Sequence, residues 1–590
     1  MAITRVFDII ERLRTYAPKA NLLNEKKDGK WRGYSFQEFD EITDAVASGL
    51  LSIGLQPGDK VMLIAANSPY WNFVDFGCQK AGLITVPVFP TISNDDLVFI
   101  AKHSESKAVF FSEAAFIKKM LLLEKEAPHL KFAYAFKKLE GAAHFDELVN
   151  EGRANPAGDR LKEIQNGITE TDVFSILYTS GTTGQPKGVM VMHRNLAQNV
   201  LNCKDLAPFT SEWKALSFLP LNHVYERFVN ALYLFHGVSI YYAENFETIG
   251  DNCREIHPQM FVAVPRILER VLERIIGAGE KLTGFKRKIF DWSVALAERY
   301  EYEGANGAWY ELQRSIADRL VYKKWRAAIG GEVKVIVSGG AALNPRIERV
   351  FACAGLDLLQ GYGLTETAVV VAVNRYPRKD RAFGTVGIIV DNTTVKLAEE
   401  DGEILVKSPS VMKGYFKNEA ATAETFDKEG WLHTGDIGTM VNGRFLKITD
   451  RKKELFKTSA GKYISPVSIE NKIKECRFVE QCMVLGDTQK FASALITPSR
   501  ANYKEYCKTA NLPYNESALD KDEHLHKLVN DHIRKMNTTL APYEQIKRQR
   551  IVNDVWSVDS GEITPKLSLK RKIITEKYKT VVTEIFGAGD

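Results

Sequence analysis

The sequence predicts an α/β protein with a large multi-layer N-terminal domain and a smaller α+β C-terminal domain. Short apolar, β-branched runs bounded by turn residues recur through the first three quarters of the chain: KVMLIAA, ITVPVFP, AVFFS, VFSILYTS, ALSFLP, VSIYYA, MFVAVP and VKVIVSGG. Between them lie segments of helical period such as SFQEFDEITDAVASGLLSIG and PRILERVLERIIGAG, an alternation that favours layers around mainly parallel strands. The pattern then changes. From about Arg381 the text is β-rich and punctuated by glycine (GTVGIIV, GEILVKS, NGRFLKITD), and a smaller strand-and-helix unit follows Asp450. A chain of 590 residues also exceeds what one ordinary core supports.

Taken in order, the amino terminus MAITRVFDIIERLRTYAPK reads as an amphipathic first helix, because acidic residues interrupt its apolar stretch; it is neither a secretory signal nor a membrane span. The long stretch from Ile275 to Lys324, helical in period and rich in Arg, Lys and Glu, reads as a solvated helical pair. TDRKKELFK, where charges cluster between an apolar strand and the next element, reads as an exposed linker.

Composition excludes several classes. With 45% hydrophobic and 26% charged residues the chain is globular, not disordered or fibrous. A net charge of +5, from 79 basic and 74 acidic side chains, is too balanced for a nucleic-acid surface but leaves small anionic ligands open. Seven widely spaced cysteines without a CxxC pair suggest neither a disulfide framework nor a zinc site, and fit a reducing, cytoplasmic setting. No run of 18 apolar residues occurs, so membrane contact would be peripheral.

The strongest local signal is Tyr178-Thr-Ser-Gly-Thr-Thr-Gly-Gln-Pro-Lys-Gly188, which follows the strand-like VFSIL. Gly181 and Gly184 let backbone N–H groups approach anionic oxygens, the hydroxyls of Thr179, Ser180, Thr182 and Thr183 add donors, and Lys187 adds charge. This is phosphate chemistry, though not a Walker A loop. Generic Gly/Thr loops are more often plain surface turns. The full string, however, resembles the phosphate-binding signature of the adenylate-forming superfamily, which includes acyl-CoA synthetases, firefly luciferase and peptide-synthetase adenylation domains.

Further strings resemble that superfamily in order along nearly the whole chain. Gln360-Gly361-Tyr362-Gly-Leu-Thr365-Glu366-Thr367 resembles its second nucleotide motif. The resemblance implies Tyr362 stacking on adenine, Thr365 reaching phosphate, and Glu366 with Thr179 holding Mg²⁺, a hard cation that prefers oxygen ligands. Ser338-Gly-Gly340-Ala-Ala342 resembles the loop that touches adenine and the acyl group, and Pro220-Leu-Asn-His223-Val-Tyr-Glu-Arg227 another core motif with His223 beside the carboxylate and thiol. In Trp431-Leu-His-Thr-Gly-Asp436 the resemblance makes Asp436 the ribose acceptor. Asp450-Arg451-Lys-Lys453-Glu454 resembles the hinge: Arg451 touches ribose, Lys453 is the pivot and Lys457 lies within reach of nucleotide. Near the carboxyl end, EITPKLSLKR implies Lys570 as the catalytic lysine, with Lys566 as the alternative; Leu569 stands where the common pattern has glycine.

The resemblance implies domains at 1–449, a hinge at 450–457 and a mobile catalytic-lysine domain at 458–590, with ATP, Mg²⁺ and coenzyme A as cofactor and co-substrates. Rotation about the hinge would withdraw Lys570 and present the Gly461 face for coenzyme A. Val264-Pro-Arg-Ile-Leu-Glu-Arg270 and the helical segment after it resemble long-chain fatty acyl-CoA synthetases, so a fatty acid is the expected acid. Another carboxylic acid, or a carrier-protein acceptor, is the alternative; a non-catalytic acyl- or nucleotide-binding scaffold is a third reading. Homodimerisation and peripheral membrane contact stay open.

Overall fold

The computed structural model describes residues 3–16, 19–179, 185–459, 462–557, 560–563 and 569–587. The chain divides into two units: residues 1–396, 405–434 and 440–447 form the first, and 397–404, 435–439 and 448–590 the second.

In the first unit the apolar runs become strands and the intervening periodic segments become helices. Ser35 shows why one helix starts where it does: its side chain accepts from the Glu38 N–H while the Glu38 carboxylate accepts from the Ser35 N–H, a reciprocal cap on helix Phe36–Ser52. Two large sheets result. In the nine-stranded sheet, strands Leu23–Lys27, Ser239–Tyr242, Lys214–Ser217, Met260–Ala263, Val335–Ser338 and Asp357–Leu364 run parallel, with antiparallel strands at both edges. In the eight-stranded sheet, Ala143–His144, Phe132–Ala135, Ala108–Phe111, Lys60–Ile64, Ile84–Pro87 and Val173–Thr179 run parallel, and Lys187–Met192 and Gly414–Tyr415 add antiparallel strands at one edge.

Helices Pro69–Lys80 and His193–Cys203 touch strands of both sheets, so they form a middle layer. Helix Val224–Phe235 belongs there too and is buried along its whole length. Its Arg227 crosses between the sheets. The guanidinium pairs with Asp75 on helix Pro69–Lys80, with Nε 3.0 Å from Oδ2, and donates to Ser175 Oγ at 2.6 Å and Thr85 Oγ1 at 2.9 Å. Asp75 also accepts from Thr85 Oγ1 and Gln79 Nε2, both at 3.1 Å. Every charge in this cluster is buried and matched, as a low-dielectric interior requires.

The amino-terminal segment forms a six-residue helix, Asp8–Leu13, whose Ile9, Ile10 and Leu13 are buried. The Ile275–Lys324 region departs from a solvated pair. Helices Pro265–Glu280, Gly284–Ala297, Ala308–Ala317 and Lys323–Ala328 occupy it, and Phe290, Tyr310, Tyr322 and Trp325 bury one side of the bundle. Aromatic area, invisible as a periodicity in a charge-rich segment, anchors it.

The second unit is α+β. Its core holds an antiparallel pair, Val479–Leu485 with Ala492–Pro498, to which Ile546–Ile551 adds in parallel, covered by helices Pro466–Ile473, Arg500–Ala510 and Glu523–Asn537. The charged TDRKKELFK text is ordered locally. Strand Phe445–Arg451 continues into it, and the Glu454 N–H then donates to the Arg451 carbonyl in a turn. All seven cysteines are buried and unpaired with one another. No described helix is long and apolar enough to cross a membrane.

Candidate active site

Within the first unit, the motif residues collect at the carboxyl ends of parallel strands, where ligands bind in open α/β sheets. Parallel pairing among strands Met260–Ala263, Val335–Ser338 and Asp357–Leu364 stops at one level, with Ala263 opposite Ser338 and Ser338 opposite Gln360, and Asp357–Leu364 alone runs on past it. Three motifs meet there. Beyond Ser338 the chain turns through Gly340, whose φ of +83° is a left-handed conformation glycine adopts without strain. A Cβ at Gly340 would have Val264, at the start of the VPRILER helix, as its neighbour at 3.9 Å, and one at Gly339 would meet the Tyr225 ring at 3.3 Å. Tyr225 in turn donates its hydroxyl to the Val337 carbonyl at 3.2 Å.

Ser338 Oγ and Gln360 Oε1 are buried yet have no hydrogen-bond partner among the described residues. Two adjacent unsatisfied polar atoms at strand ends would each cost on the order of 1–3 kcal/mol if nothing bound them. They are therefore suited to a polar ligand edge. Tyr362, half-buried, follows Gln360 where strand Asp357–Leu364 shifts register against Val369–Val373. Gly363 is obligatory at this bulge, since a Cβ would come within 1.5 Å of the Val369 carbonyl oxygen.

His223 caps helix Val224–Phe235, its Nδ1 accepting from the Tyr225 N–H at 3.1 Å, so any ring proton at that pairing sits on Nε2. The next carboxylate in the motif has a different job. Glu226 is buried, accepts from Ser217 Oγ at 2.6 Å, and desolvation pushes its pKa up to about 8 from an ordinary 4.5. A raised carboxylate pKa means the folded protein holds a proton the unfolded chain has lost. Stability is thus fully present below pH 4.5 and declines as pH rises toward 8, by about 1.4 kcal/mol per unit at most. Glu226→Gln is expected to flatten that decline, measured as urea unfolding midpoints from pH 5 to 8; an unchanged slope would show that Glu226 is ionised throughout.

The phosphate-type signature spans two paired strands. Tyr178 lies opposite Gly188 and Thr179 opposite Lys187; Ser180, Gly181, Thr182, Thr183 and Gly184 lie outside the described residues. Lys187 Nζ sits 5.1 Å from the Tyr415 ring centroid, and the Tyr415 hydroxyl donates to Glu366 Oε1 at 2.9 Å. Burial pushes the Tyr415 phenol well above its ordinary range, so at neutral pH it donates and the carboxylate accepts. Tyr415 thereby ties the signature lysine to the Glu366 motif. Sequence reading passed over it, because its strand pairs with Lys187–Met192 only in the fold; the KGYF text after a polar turn carries no chemistry of its own. Thr365, next to Glu366, is buried.

In the second unit, Asp436 is buried and its Oδ1 lies 3.2 Å from Arg451 Nε, bringing together two residues read independently from separate motifs. The neighbouring Gly435 N–H donates to Glu403 at 2.9 Å. Lys452 bridges Asp401 at 2.7 Å and Glu403 at 2.8 Å, and these partners push its pKa up. It is Lys452, one residue before the expected pivot Lys453, that carries this bridge; Lys453 itself is exposed. Lys457 is exposed and stands 5.5 Å from the Tyr463 ring across a short antiparallel pair. Gly461 lies outside the described residues.

Lys570 precedes helix Arg571–Lys577. Its N–H donates to the Glu562 carbonyl at 2.7 Å, and Ile563 pairs antiparallel with Leu569, so the two ends of the EITPKLSLKR string are held together. Arg571 makes a two-pronged pair with Glu470, both contacts 2.8 Å. Burial alone would raise Glu562, but Lys577 and Ser560 hold it down to about 2. Lys566 lies outside the described residues.

As metal ligands, the described residues offer no cluster of three or more His, Cys, Asp or Glu side chains. Glu366 and Thr179 supply hard oxygen donors, too few to hold a divalent cation alone but suited to one that also binds phosphate oxygens.

Comparison with known proteins places this arrangement. The AMP-binding enzyme family matches residues 11–416, and the AMP-binding enzyme C-terminal domain matches residues 454–590. Over 572 residues the chain is 30% identical to long-chain-fatty-acid–CoA ligase FadD15 of Mycobacterium bovis, covering 95% of this chain and 93% of that protein. It is 30% identical over 603 residues to human long-chain-fatty-acid–CoA ligase 1, covering 96% and 84%. Among solved structures, the anthranilate CoA ligase AuaEII with anthranoyl-AMP shares the fold, with TM-score 0.73, 18% identity and 98% coverage of both chains. A Mycobacterium tuberculosis fatty acyl CoA synthetase gives TM-score 0.62 at 19% identity, covering 98% of this chain and 99% of that one. The chain belongs to the AMP-binding, adenylate-forming enzyme family.

Proposed function

We propose that the protein is a long-chain fatty acid–CoA ligase, converting ATP, a fatty acid and coenzyme A to acyl-CoA, AMP and pyrophosphate through an acyl adenylate. The observation that carries this reading is the similarity to long-chain-fatty-acid–CoA ligases over at least 95% of the chain.

In the first half-reaction the fatty carboxylate attacks the α-phosphorus of ATP and pyrophosphate leaves. Lys187, with the Thr179 hydroxyl, offsets charge on the phosphates, while Tyr362 offers a face for adenine and Ser338 and Gln360 a polar edge. Asp436 takes the ribose hydroxyls, positioned by Arg451. Mg²⁺, held by Glu366 and Thr179 together with phosphate oxygens, would supply further charge neutralisation; the Tyr415 hydroxyl fixes one oxygen of Glu366. Lys570 bridges the carboxylate and the nucleotide oxygens as negative charge is redistributed. In the second half-reaction the thiol of coenzyme A displaces AMP, with His223 beside the reacting carbonyl. No protein nucleophile is required, because the adenylate is already activated.

Residues 1–449 act as the adenylation domain, 450–457 as the hinge and 458–590 as the mobile domain that carries Lys570 in and then presents the Gly461 side to coenzyme A. A fatty substrate partitions into bilayers, so peripheral membrane contact is part of the reading.

ATP–pyrophosphate exchange with a panel of acids tests it. Palmitate and oleate are expected to support exchange, and acetate and benzoate to support little. Exchange driven by an aryl acid and not by palmitate would replace the fatty-acid reading with another carboxylic acid.

A further inference from the structure

Helix Ala308–Ala317 is apolar on two sides. It continues through one π turn, Asp318–Tyr322, into helix Lys323–Ala328. One side packs inward: Tyr310, Ala317, Val321, Tyr322 and Trp325 are buried, and the Tyr310 and Tyr322 hydroxyls donate to the carbonyls of Leu296 and Ser293 at 2.6 and 2.7 Å. The other side leaves Trp309, Leu312, Ile316 and Leu320 at 72%, 53%, 46% and 45% exposure. These four recur every third or fourth residue, a continuous stripe and not scattered apolar residues. Folding alone gives no reason for it, since the inward side already supplies the anchor.

The unpaired charges flanking Ile316 and Leu320 are basic. Arg319, Lys323 and Lys324 are exposed and make no ion pair among the described residues. Contacts between Leu296 and Tyr310 and between Phe290 and Trp325 run the preceding helix, Gly284–Ala297, antiparallel to this one. Its start therefore lies at the same end as Lys323 and Lys324, and brings Phe285, 77% exposed, with exposed Lys286 and Lys288. Nearby carboxylates are already neutralised: Glu311 by Arg314, Asp318 by Arg326 and Asp291 by Arg287.

We propose that this stripe with its basic flank, Trp309, Leu312, Ile316 and Leu320 beside Arg319, Lys323 and Lys324, is a docking surface for an anionic lipid bilayer. Indole and leucyl side chains at the headgroup boundary bury apolar area, while lysine and arginine meet lipid phosphates; amphipathic helices that lie on membranes combine the same two features. The inference extends the peripheral contact included in the proposed function by naming the surface, but lipid binding itself needs no turnover.

Vesicle flotation of the full chain, with neither ATP nor fatty acid present, tests it. The protein is expected to float with phosphatidylcholine vesicles containing phosphatidylglycerol and weakly with phosphatidylcholine alone. The double variants L312E/I316E and K323E/K324E are each expected to lower partition onto anionic vesicles roughly tenfold or more, with thermal unfolding and pyrophosphate exchange unchanged. Failure of the wild-type chain to float, or wild-type partition by either variant, overturns the proposal. So does conversion of a dimer to a monomer by L312E/I316E in light scattering with lipid binding retained, which would assign the stripe to a second copy of the chain. Because substrate is absent, a failed ligase assay leaves this outcome readable.

Discussion

Lys570→Ala is expected to slow acyl-adenylate formation by about 10²–10³-fold, the scale on which a single charge-stabilising group contributes to a transition state. Thioester formation from supplied acyl adenylate and coenzyme A should stay within a few fold of the unmodified rate. The split follows from the proposed division of labour: Lys570 acts while negative charge moves between carboxylate and phosphate, and is withdrawn before the thiol arrives. Its backbone is held by the Glu562 carbonyl and its neighbour Arg571 by Glu470, so removing the side chain beyond Cβ leaves both of these anchors in place. Single-turnover measurement of each half-reaction checks it. Equal loss in both would make Lys570 structural, and a selective loss in Lys566→Ala would move the catalytic role there.

The largest expected stability effect lies in the first unit's middle layer. Arg227→Met strands the buried Asp75 carboxylate, and breaking a buried pair by removing one partner costs about 3–5 kcal/mol. The double variant D75L/R227M should recover most of that loss, since apolar replacements of a whole buried pair are often neutral. Denaturant unfolding of both variants provides the comparison. A double variant as unstable as Arg227→Met would show that the hydrogen bonds to Ser175 and Thr85, not charge matching, hold the layer together.

Strands such as Lys60–Ile64, Met260–Ala263 and Val335–Ser338 could be read from the sequence because each is a short apolar run fenced by turn residues, whereas polar Leu23–Lys27 and Lys30–Tyr34 carried no such signal; the helix Phe36–Ser52 was legible because its apolar residues recur at helical spacing. The motif residues were legible where chemistry is concentrated in one string, as in YTSGTTGQPKG and QGYGLTET. Long-range partnerships were not. Tyr415 reaches Glu366 across 49 residues of chain and Arg227 reaches Asp75 across 152, separations over which no periodicity or spacing speaks. Glu226 illustrates the same limit. Written beside His223 and Arg227 it looks like part of a polar motif, yet its surroundings make it a buried acid with a raised pKa. In the Ile275–Lys324 segment, abundant Arg, Lys and Glu suggested a solvated pair and hid the aromatic residues that anchor one side and the apolar residues that line the other.

The most direct measurement is the product balance of the purified protein given ATP, Mg²⁺, coenzyme A and a mixture of fatty acids. The account predicts long-chain acyl-CoA by mass, with AMP and pyrophosphate formed in equal amounts to it. Formation of ADP and phosphate, or release of AMP with no acyl-CoA from any fatty acid, would contradict it.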